Sequence, residues 1–409
     1  MSLRRKVYRI VLFLAAFAYL STFSSGIFAY SPQALYDQVW KLINTKYVDQ
    51  YNNGQDWNRW RHKYDEVIKT EKDSYVAIDT MLSSLNDPYT RFLQPKEFAE
   101  EGESISGTLK GIGVQIGVKD GKLLVIAPLE DTPASKAGLE ANDYIVEINS
   151  KSTKGMSVKD AADNIKGEEG TFVKLLIKRD DKEKLYSVQR AEITLKAVTT
   201  TSSTFKLNNN IGYIRLSTFL NKNASQEISN ALSKLKDKEG FILDLRSNPG
   251  GLLTNALYIS DMFLGKDKTI VSTVDRDGYK ETQRTDGRNI TNKPLVVLIN
   301  GGSASASEIL SGALKDNARA VLVGEKSFGK GLVQEINKLP DGSGVNITTQ
   351  KYLTPSGTDI NKKGIEPNVI VKNTEEDIKN KKDVQLQKAQ EVLEALVTQK
   401  QDSLTSSSN

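Results

Sequence analysis

Four apolar, β-branched runs in the second half of the chain constrain its fold more than any other feature. They are IGYIRLSTF (211–219), FILDLRSN (241–248), LVVLIN (295–300) and AVLVGE (320–325). Each is followed by a different texture. An amphipathic pattern runs to about residue 237, NPGGLL leads into a second helix, and SASEILSGALKDN (305–317) reads as a third. Strand–helix–strand alternation with β-branched strands implies an α/β core. A β-ribbon around VDRDGYKETQRTDG (274–287) and strands near 333–339 and 344–352 complete a region spanning 192–372.

The flanks read differently. Over 31–104 the apolar residues fall at helical spacing: Leu35, Val39, Leu42 and Ile43 share one face, and Ile78, Met81, Leu82 and Leu85 another. LNDPYTRFL (85–93) is expected to end these helices, because proline disfavours helical geometry in the preceding Asp87. The segment is expected to form a helical cap or dimerisation arm. After 373 a charged linker leads to a stripe of Leu386, Ala389, Leu393 and Leu396, expected to pack on a partner or on the N-terminal arm. The tail DSLTSSSN (402–409) is expected to be disordered.

Composition removes several chemistries. The 409 residues contain no cysteine and one histidine, His62, so a His/Cys zinc site, thiolate catalysis and disulfides are excluded, and no metal or cofactor is expected. His62 lies off the apolar stripe of Trp57, Trp60, Tyr64, Val67 and Ile68 and reads as a solvated imidazole. Of the net charge of +5, four charges come from Arg4, Arg5, Lys6 and Arg9; without them 52 basic residues face 51 acidic ones. That balance, with no basic stripe, argues against nucleic acid. The same four charges precede the apolar run IVLFLAAFAYL (10–20), the pattern of a signal peptide or an N-terminal membrane anchor over 1–30. Either would place the body outside the cytoplasm, anchored to the membrane or secreted after cleavage.

Between 105 and 191 short strands alternate with glycine, and the segment contains PASKAGLEANDYIVEIN (133–149). This resembles a PDZ domain, which holds a peptide by adding it as a strand to a sheet edge. In such domains the peptide carboxylate sits in a nest of backbone N–H groups. The matching loop here is Gly111, Ile112, Gly113 and Val114.

The stretch NGGSASASEI (300–309) places three serines at alternate positions after a strand and before a helix. A hydroxyl there would project near free N–H groups and the positive end of a helix, suited to an oxyanion. Ser305-x-x-Glu308 also matches a capping box, in which the hydroxyl only satisfies an orphan N–H. Downstream, Lys330 is flanked by Gly329 and Gly331 between two strands in GEKSFGKGLVQEI (324–336). With no histidine available, a lysine amine is the remaining general base. Its pKa would have to fall from ~10.4 to roughly 7–8, at ~1.4 kcal/mol per unit. Burial by backbone and Phe328 is the expected cause. Neutral Gln334 could orient the amine without the carboxylate charge that would raise that pKa again. A second pair, Ser233-x-x-Lys236, lies off the buried face of its helix and reads as solvated surface.

SASASEI, FGKGLVQ, LDLRSNPGGLL, YLTPSGTDINKKGIEPNV (352–369) and LNDPYTRFL, arranged around a PDZ-like segment, resemble the carboxyl-terminal processing peptidases of family S41. The resemblance covers about 33–396. It implies an α/β peptidase core of crotonase- or ClpP-like strand–helix alternation, with an inserted PDZ domain and helical N- and C-terminal arms. The implied division is 31–104 cap, 105–191 PDZ domain, 192–372 peptidase core, and 373–409 linker, helix and tail. It implies Ser305 as nucleophile, with Ser303 and Ser307 as fallbacks, Lys330 as base and Gln334 as its support. The implied oxyanion hole is the N–H of Ala306 with that of Gly250 or Gly251. The expected partners are the C-terminal tails of exported proteins, with the membrane and a second copy of the chain as further candidates. The competing reading is a peptide-binding scaffold with an idle Ser/Lys pair.

Overall fold

The computed structural model describes residues 31–106, 108–119, 121–129, 132–194, 196–380 and 382–406. The signal or anchor expected over 1–30 lies outside them. The chain forms two compact units: one holds the N-terminal region through Lys96 with residues 334–348, the other residues 97–333 and 349 onward.

In the first unit, α1 (Pro32–Lys46) starts where the Ser31 hydroxyl accepts the Ala34 N–H at 3.1 Å, with Pro32 in the first turn. The second helix, α2 (Glu71–Ser83), opens with a Thr70–Asp73 capping box. Leu35, Val39 and Ile43 on α1 and Ile78, Met81 and Leu82 on α2 bury together with Trp57 and Trp60. The helical stripes are therefore consumed inside this unit. The helix stops at Ser83, so LNDPYTRFL is non-helical as expected. The Asp87 carboxylate accepts the Tyr89 N–H at 3.0 Å and the Thr90 hydroxyl at 2.7 Å. That turn feeds β1 (Arg91–Leu93), which pairs antiparallel with residues 344–346, and a helix resumes over Pro95–Ser106. His62 is exposed beside Asp65.

In the second unit, residues 108–111 pair with 191–194 and bracket an antiparallel sheet. Its strands are β2 (Val114–Lys119), β3 (Lys122–Pro128), β4 (Tyr144–Ile148), β5 (Phe172–Arg179) and β6 (Lys182–Gln189), bonded in the order β2-β3-β4-β5-β6. One helix, α3 (Val158–Ile165), buries Ala161 and Ile165 in the same core as Val125, Ile145 and Ile177. Asp143 of the PDZ-like motif is a structural acid: its carboxylate receives the Arg179 guanidinium at 2.6 Å.

The α/β core follows. Its elements are β7 (Ile211–Leu216), α4 (Ala224–Lys234), β8 (Gly240–Asp244), α5 (Leu253–Phe263), β9 (Thr269–Asp275) and β10 (Lys280–Arg284). They continue with β11 (Leu295–Ile299), α6 (Ala306–Asp316), β12 (Val321–Gly324), β13 (Leu332–Lys338), β14 (Gly344–Leu353), β15 (Val369–Ile370) and α7 (Val384–Ser406). Strands β7, β8, β11, β12 and β15 are parallel neighbours in that order. Every residue of β8 and β11 is buried, as expected of a parallel sheet covered on both faces. Period-two alternation sorts the cover. Leu295, Val297 and Ile299 meet a core containing Ile228, Ile259, Leu310 and Leu314, whereas Val296 and Leu298 meet Leu386, Ala389 and Leu393 of α7.

That second face corrects two expectations. The C-terminal stripe packs on the chain's own sheet rather than on a partner or the N-terminal arm. An apolar sheet face of Ile242, Val296, Leu298 and Val323 requires a cover, and α7 supplies it. With both terminal stripes buried, the ground on which a homodimer was expected is gone. The helix also continues to Ser406, so residues 402–406 of the tail are ordered by propagation from its anchored turns.

Candidate active site

Strand β11 ends at Ile299, and the chain turns through NGGSASAS into α6. At that turn Ser305 holds φ 54° and ψ −114°, a conformation L-residues adopt at a cost of about 1–3 kcal/mol. The surroundings fix it. The Ser305 carbonyl accepts N–H bonds from Glu308 at 2.8 Å and Ile309 at 2.9 Å, and the Tyr352 hydroxyl at 3.2 Å. The Ser305 N–H donates to Glu308 Oε2 at 2.8 Å. The Glu308 N–H is thus bonded to a carbonyl oxygen, and Ser305 and Glu308 also form the capping box that the sequence suggested.

The three serines separate cleanly. Ser303 and Ser307 are both wholly buried. The Ser303 hydroxyl donates to the Leu245 carbonyl at 2.8 Å, and that of Ser307 to the Asn248 carbonyl at 2.9 Å. Both therefore fasten the serine turn to the segment after β8. Ser305 alone is partly exposed.

That neighbouring segment is SNPGG (247–251). Asn248 organises it: its side-chain oxygen accepts the Gly250 N–H at 2.9 Å, and its side-chain nitrogen donates to the Leu216 carbonyl at 2.8 Å. Gly250 lies against the serine turn. A Cβ there would stand 2.6 Å from the Ala304 carbonyl oxygen and 2.9 Å from both Ser305 Cβ and the Ala306 nitrogen. Only glycine permits that approach. The two turns that carry the expected oxyanion donors are thus in contact, and Ala306 opens α6.

Glu308 was read from sequence only as a cap, and it does more. The carboxylate is wholly buried. Its Oε1 accepts the Ser327 hydroxyl and the Gly329 N–H, each at 2.6 Å. Its Oε2 accepts the Ser305 N–H and, at 2.9 Å, the Lys330 N–H. Two donors on one oxygen at these lengths hold the Ser305 and Lys330 backbone nitrogens within about 6 Å of each other. A buried carboxylate needs such compensation, and four donors supply it.

Lys330 is partly buried between β12 and β13. The glycines beside it have a packing reason. A Cβ on Gly329 would lie 2.9 Å from the Gly364 nitrogen, and one on Gly331 would lie 2.7 Å from the Asn361 nitrogen. The INKKGI segment thus presses directly on the lysine's backbone. Phe328 does not provide the expected burial: it is 57% exposed. Gly329 and Glu308 occupy the inner side of the segment, which turns the Phe328 ring outward. Gln334 lies on β13, and its buried amide nitrogen has no hydrogen-bond partner among the described residues. Ser233 and Lys236 are both exposed.

In the antiparallel sheet, Ile112 is buried in the core and its carbonyl accepts the Ala134 N–H at 2.8 Å. The Gly113 carbonyl accepts the Leu129 N–H at 2.9 Å. Gly111 ends the strand paired with 191–194, and Val114 begins β2, an edge strand bonded only to β3 among the described residues.

Residues 210–371 match peptidase family S41, and residues 124–179 match the PDZ domain. The chain is 39% identical to a carboxyl-terminal-processing protease of Synechocystis sp., over 93% of this chain and 91% of that one. The chain belongs to peptidase family S41. A further S41 relative, the carboxy-terminal processing protease CtpA of Bacillus subtilis, is 40% identical over 75% of this chain and 66% of its own. Among solved structures, a photosystem II D1 C-terminal processing protease is 35% identical, covering 84% of this chain and 93% of that one with a TM-score of 0.56. This S41 chain is accordingly a member of the C-terminal processing proteases that carry a PDZ domain, with an α/β core and helical terminal regions. Its relatives are bacterial and chloroplast proteins.

Proposed function

We propose that this S41 peptidase cleaves exported proteins near their C-termini, with Ser305 as nucleophile and Lys330 as general base. The observation that carries the reading is the division of labour in SASAS. Two hydroxyls are spent on the Leu245 and Asn248 carbonyls, and the one between them stands at a helix N-terminus on a strained turn.

The chemistry follows from that placement. Neutral Lys330 takes the Ser305 proton as the oxygen attacks the scissile carbonyl. The oxyanion forms against the Ala306 N–H and a donor of the PGG turn, in the field of the α6 N-terminus. Between Gly250 and Gly251, the Gly250 N–H is already bonded to Asn248, which favours Gly251 as the donor. The leaving amine takes a proton from the Lys330 ammonium. Water then hydrolyses the acyl-enzyme with Lys330 again as base. Gln334 supports the amine: an amide can present either end by rotation, and its buried nitrogen has no bond to break.

Tail capture is assigned to Gly111, Ile112, Gly113 and Val114 with the free edge of β2. The carbonyls of Ile112 and Gly113 are tied into the domain, which favours N–H groups facing a ligand carboxylate. An extended tail would then add to β2 alongside α3. Residues 1–30 would carry the body across the membrane.

The test is cleavage of a peptide with an apolar, uncharged C-terminus. Ser305→Ala and Lys330→Ala should each abolish turnover while tail binding persists. Turnover in the Lys330 variant would rule out the mechanism, and tail binding without turnover in the unmodified protein would make the domain a scaffold.

A further inference from the structure

The segments that carry the oxyanion turn and the lysine leave the sheet at the ends of β8 and β12. Both are held at their roots by the first turn of α7. Arg246, four residues before Gly250, is 9% exposed. Its guanidinium donates to Asp244 (Nη2 to Oδ2, 2.7 Å) and across to Asp383 (Nη1 to Oδ1, 2.7 Å; Nη2 to Oδ2, 2.9 Å). Asp383 also caps α7, accepting the Leu386 N–H at 3.0 Å. Two residues on, Gln385 accepts from Arg246 Nη1 at 3.2 Å. Its own amide nitrogen donates to Glu325 Oε2 at 3.2 Å and to the Val371 carbonyl at 2.9 Å. Glu325 directly follows β12 and lies five residues before Lys330.

This arrangement exceeds what docking α7 requires. Leu386, Ala389 and Leu393 already bury the helix on the sheet, and apolar side chains hold such contacts as firmly as buried ions do. A planar guanidinium gripped by two carboxylates adds orientation, because the fork accepts only one geometry.

We infer that Asp383 and Gln385 are positioning residues for the peptidase reaction. The first turn of the C-terminal helix clamps the roots of the oxyanion turn and the lysine segment in register. The inference rests on the assignment of Ser305, Lys330 and the PGG turn given above. A carboxylate and an amide in the C-terminal segment thereby set geometry at a site more than fifty residues earlier in sequence.

The test compares kcat and KM of the full chain on the apolar-tailed peptide, well below the unfolding temperature of each variant. Asp383→Asn and Gln385→Ala should each lower kcat about tenfold or more while KM stays within about twofold, since misplacement of reacting groups acts on the chemical step. Asp383→Glu should recover part of the loss. Leu393→Ala, which removes docking area without touching the clamp, should lower the melting temperature and leave kcat unchanged. A folded Asp383→Asn protein with unaltered kcat would overturn the inference, as would an equal loss of kcat in Leu393→Ala. If Asp383→Asn does not fold, Gln385→Ala decides by the same readings; if neither folds, the turn serves stability and the inference falls. Ser305→Ala run in parallel separates the two proposals, since turnover in that variant would refute the site itself.

Discussion

Glu308 Oε2 accepts the backbone N–H of Ser305 at 2.8 Å and that of Lys330 at 2.9 Å, so one buried oxygen ties the proposed nucleophile to the proposed base. Glu308→Gln places an amide where four donors converge. Turned either way, it presents N–H groups to N–H groups. Hydrogen bonds to a charged group contribute about 1.5–3 kcal/mol each. The variant should lose at least that much stability, and kcat should fall on the order of a hundredfold. Urea unfolding and peptide cleavage measure the two. Unchanged values would mean that the carboxylate is only a cap.

The flanking serines should behave oppositely to Ser305. Ser303→Ala and Ser307→Ala each remove one of two donors from a buried carbonyl, leaving the Asn248 N–H on Leu245 and the Ala304 N–H on Asn248, at about 0.5–1.5 kcal/mol. Both should unfold at lower urea concentration and keep measurable turnover. Ser305→Ala should keep its stability and lose turnover. If Ser303→Ala or Ser307→Ala, still folded, is the silent enzyme, the nucleophile has been misassigned.

How much of this was legible in the sequence varies with the reach of the interaction. Strands β7, β8, β11 and β12 announce themselves, because burial on both faces leaves few polar positions, Arg215 and Asp244 among them, to confuse the reading. The serine run was equally visible, but spacing alone cannot say which hydroxyls reach back to carbonyls at 245 and 248. Glu308 fitted a capping box three residues away, and that local reading concealed partners some twenty residues downstream. Phe328 looked like a source of burial because it is apolar. The inner side of its segment was already filled by Glu308 and by the backbone of 361–364. For α7, a helical stripe reveals that a face is buried and not what buries it.

The glycines beside Lys330 give a steric test. Gly329 holds φ +92°, and an added Cβ would meet the Gly364 nitrogen at 2.9 Å. Gly329→Ala should therefore cost about 1–3 kcal/mol or more and sharply reduce kcat by shifting the lysine. Gly265→Ala, with nothing within 4 Å of the added carbon, should stay within about 0.5 kcal/mol of the parent. Thermal unfolding of the pair decides, and equal effects would contradict the packing argument.

Stability should also depend on pH through Asp383. Burial alone pushes its carboxyl up, but the hydrogen bonds and charge of Arg246 outweigh burial and hold it below the usual carboxylate range. A folded value beneath the unfolded one contributes stability that is present above the unfolded value of ~3.9 and lost as pH falls through the folded value. Below about pH 4 the parent should therefore lose stability more steeply than Asp383→Asn. Parallel acid limbs in urea titrations would contradict this.

The central claim is that the amine of Lys330 takes the proton of Ser305, and single-turnover acylation tests it most directly. Mixed with an apolar-tailed peptide in excess of substrate-binding affinity, the full chain should acylate Ser305 at a rate that climbs with pH on one ionisation. That ionisation should be absent, together with the acyl-enzyme, from Lys330→Ala. Acyl-enzyme forming in Lys330→Ala at the parent rate, with the same pH dependence, would contradict the account.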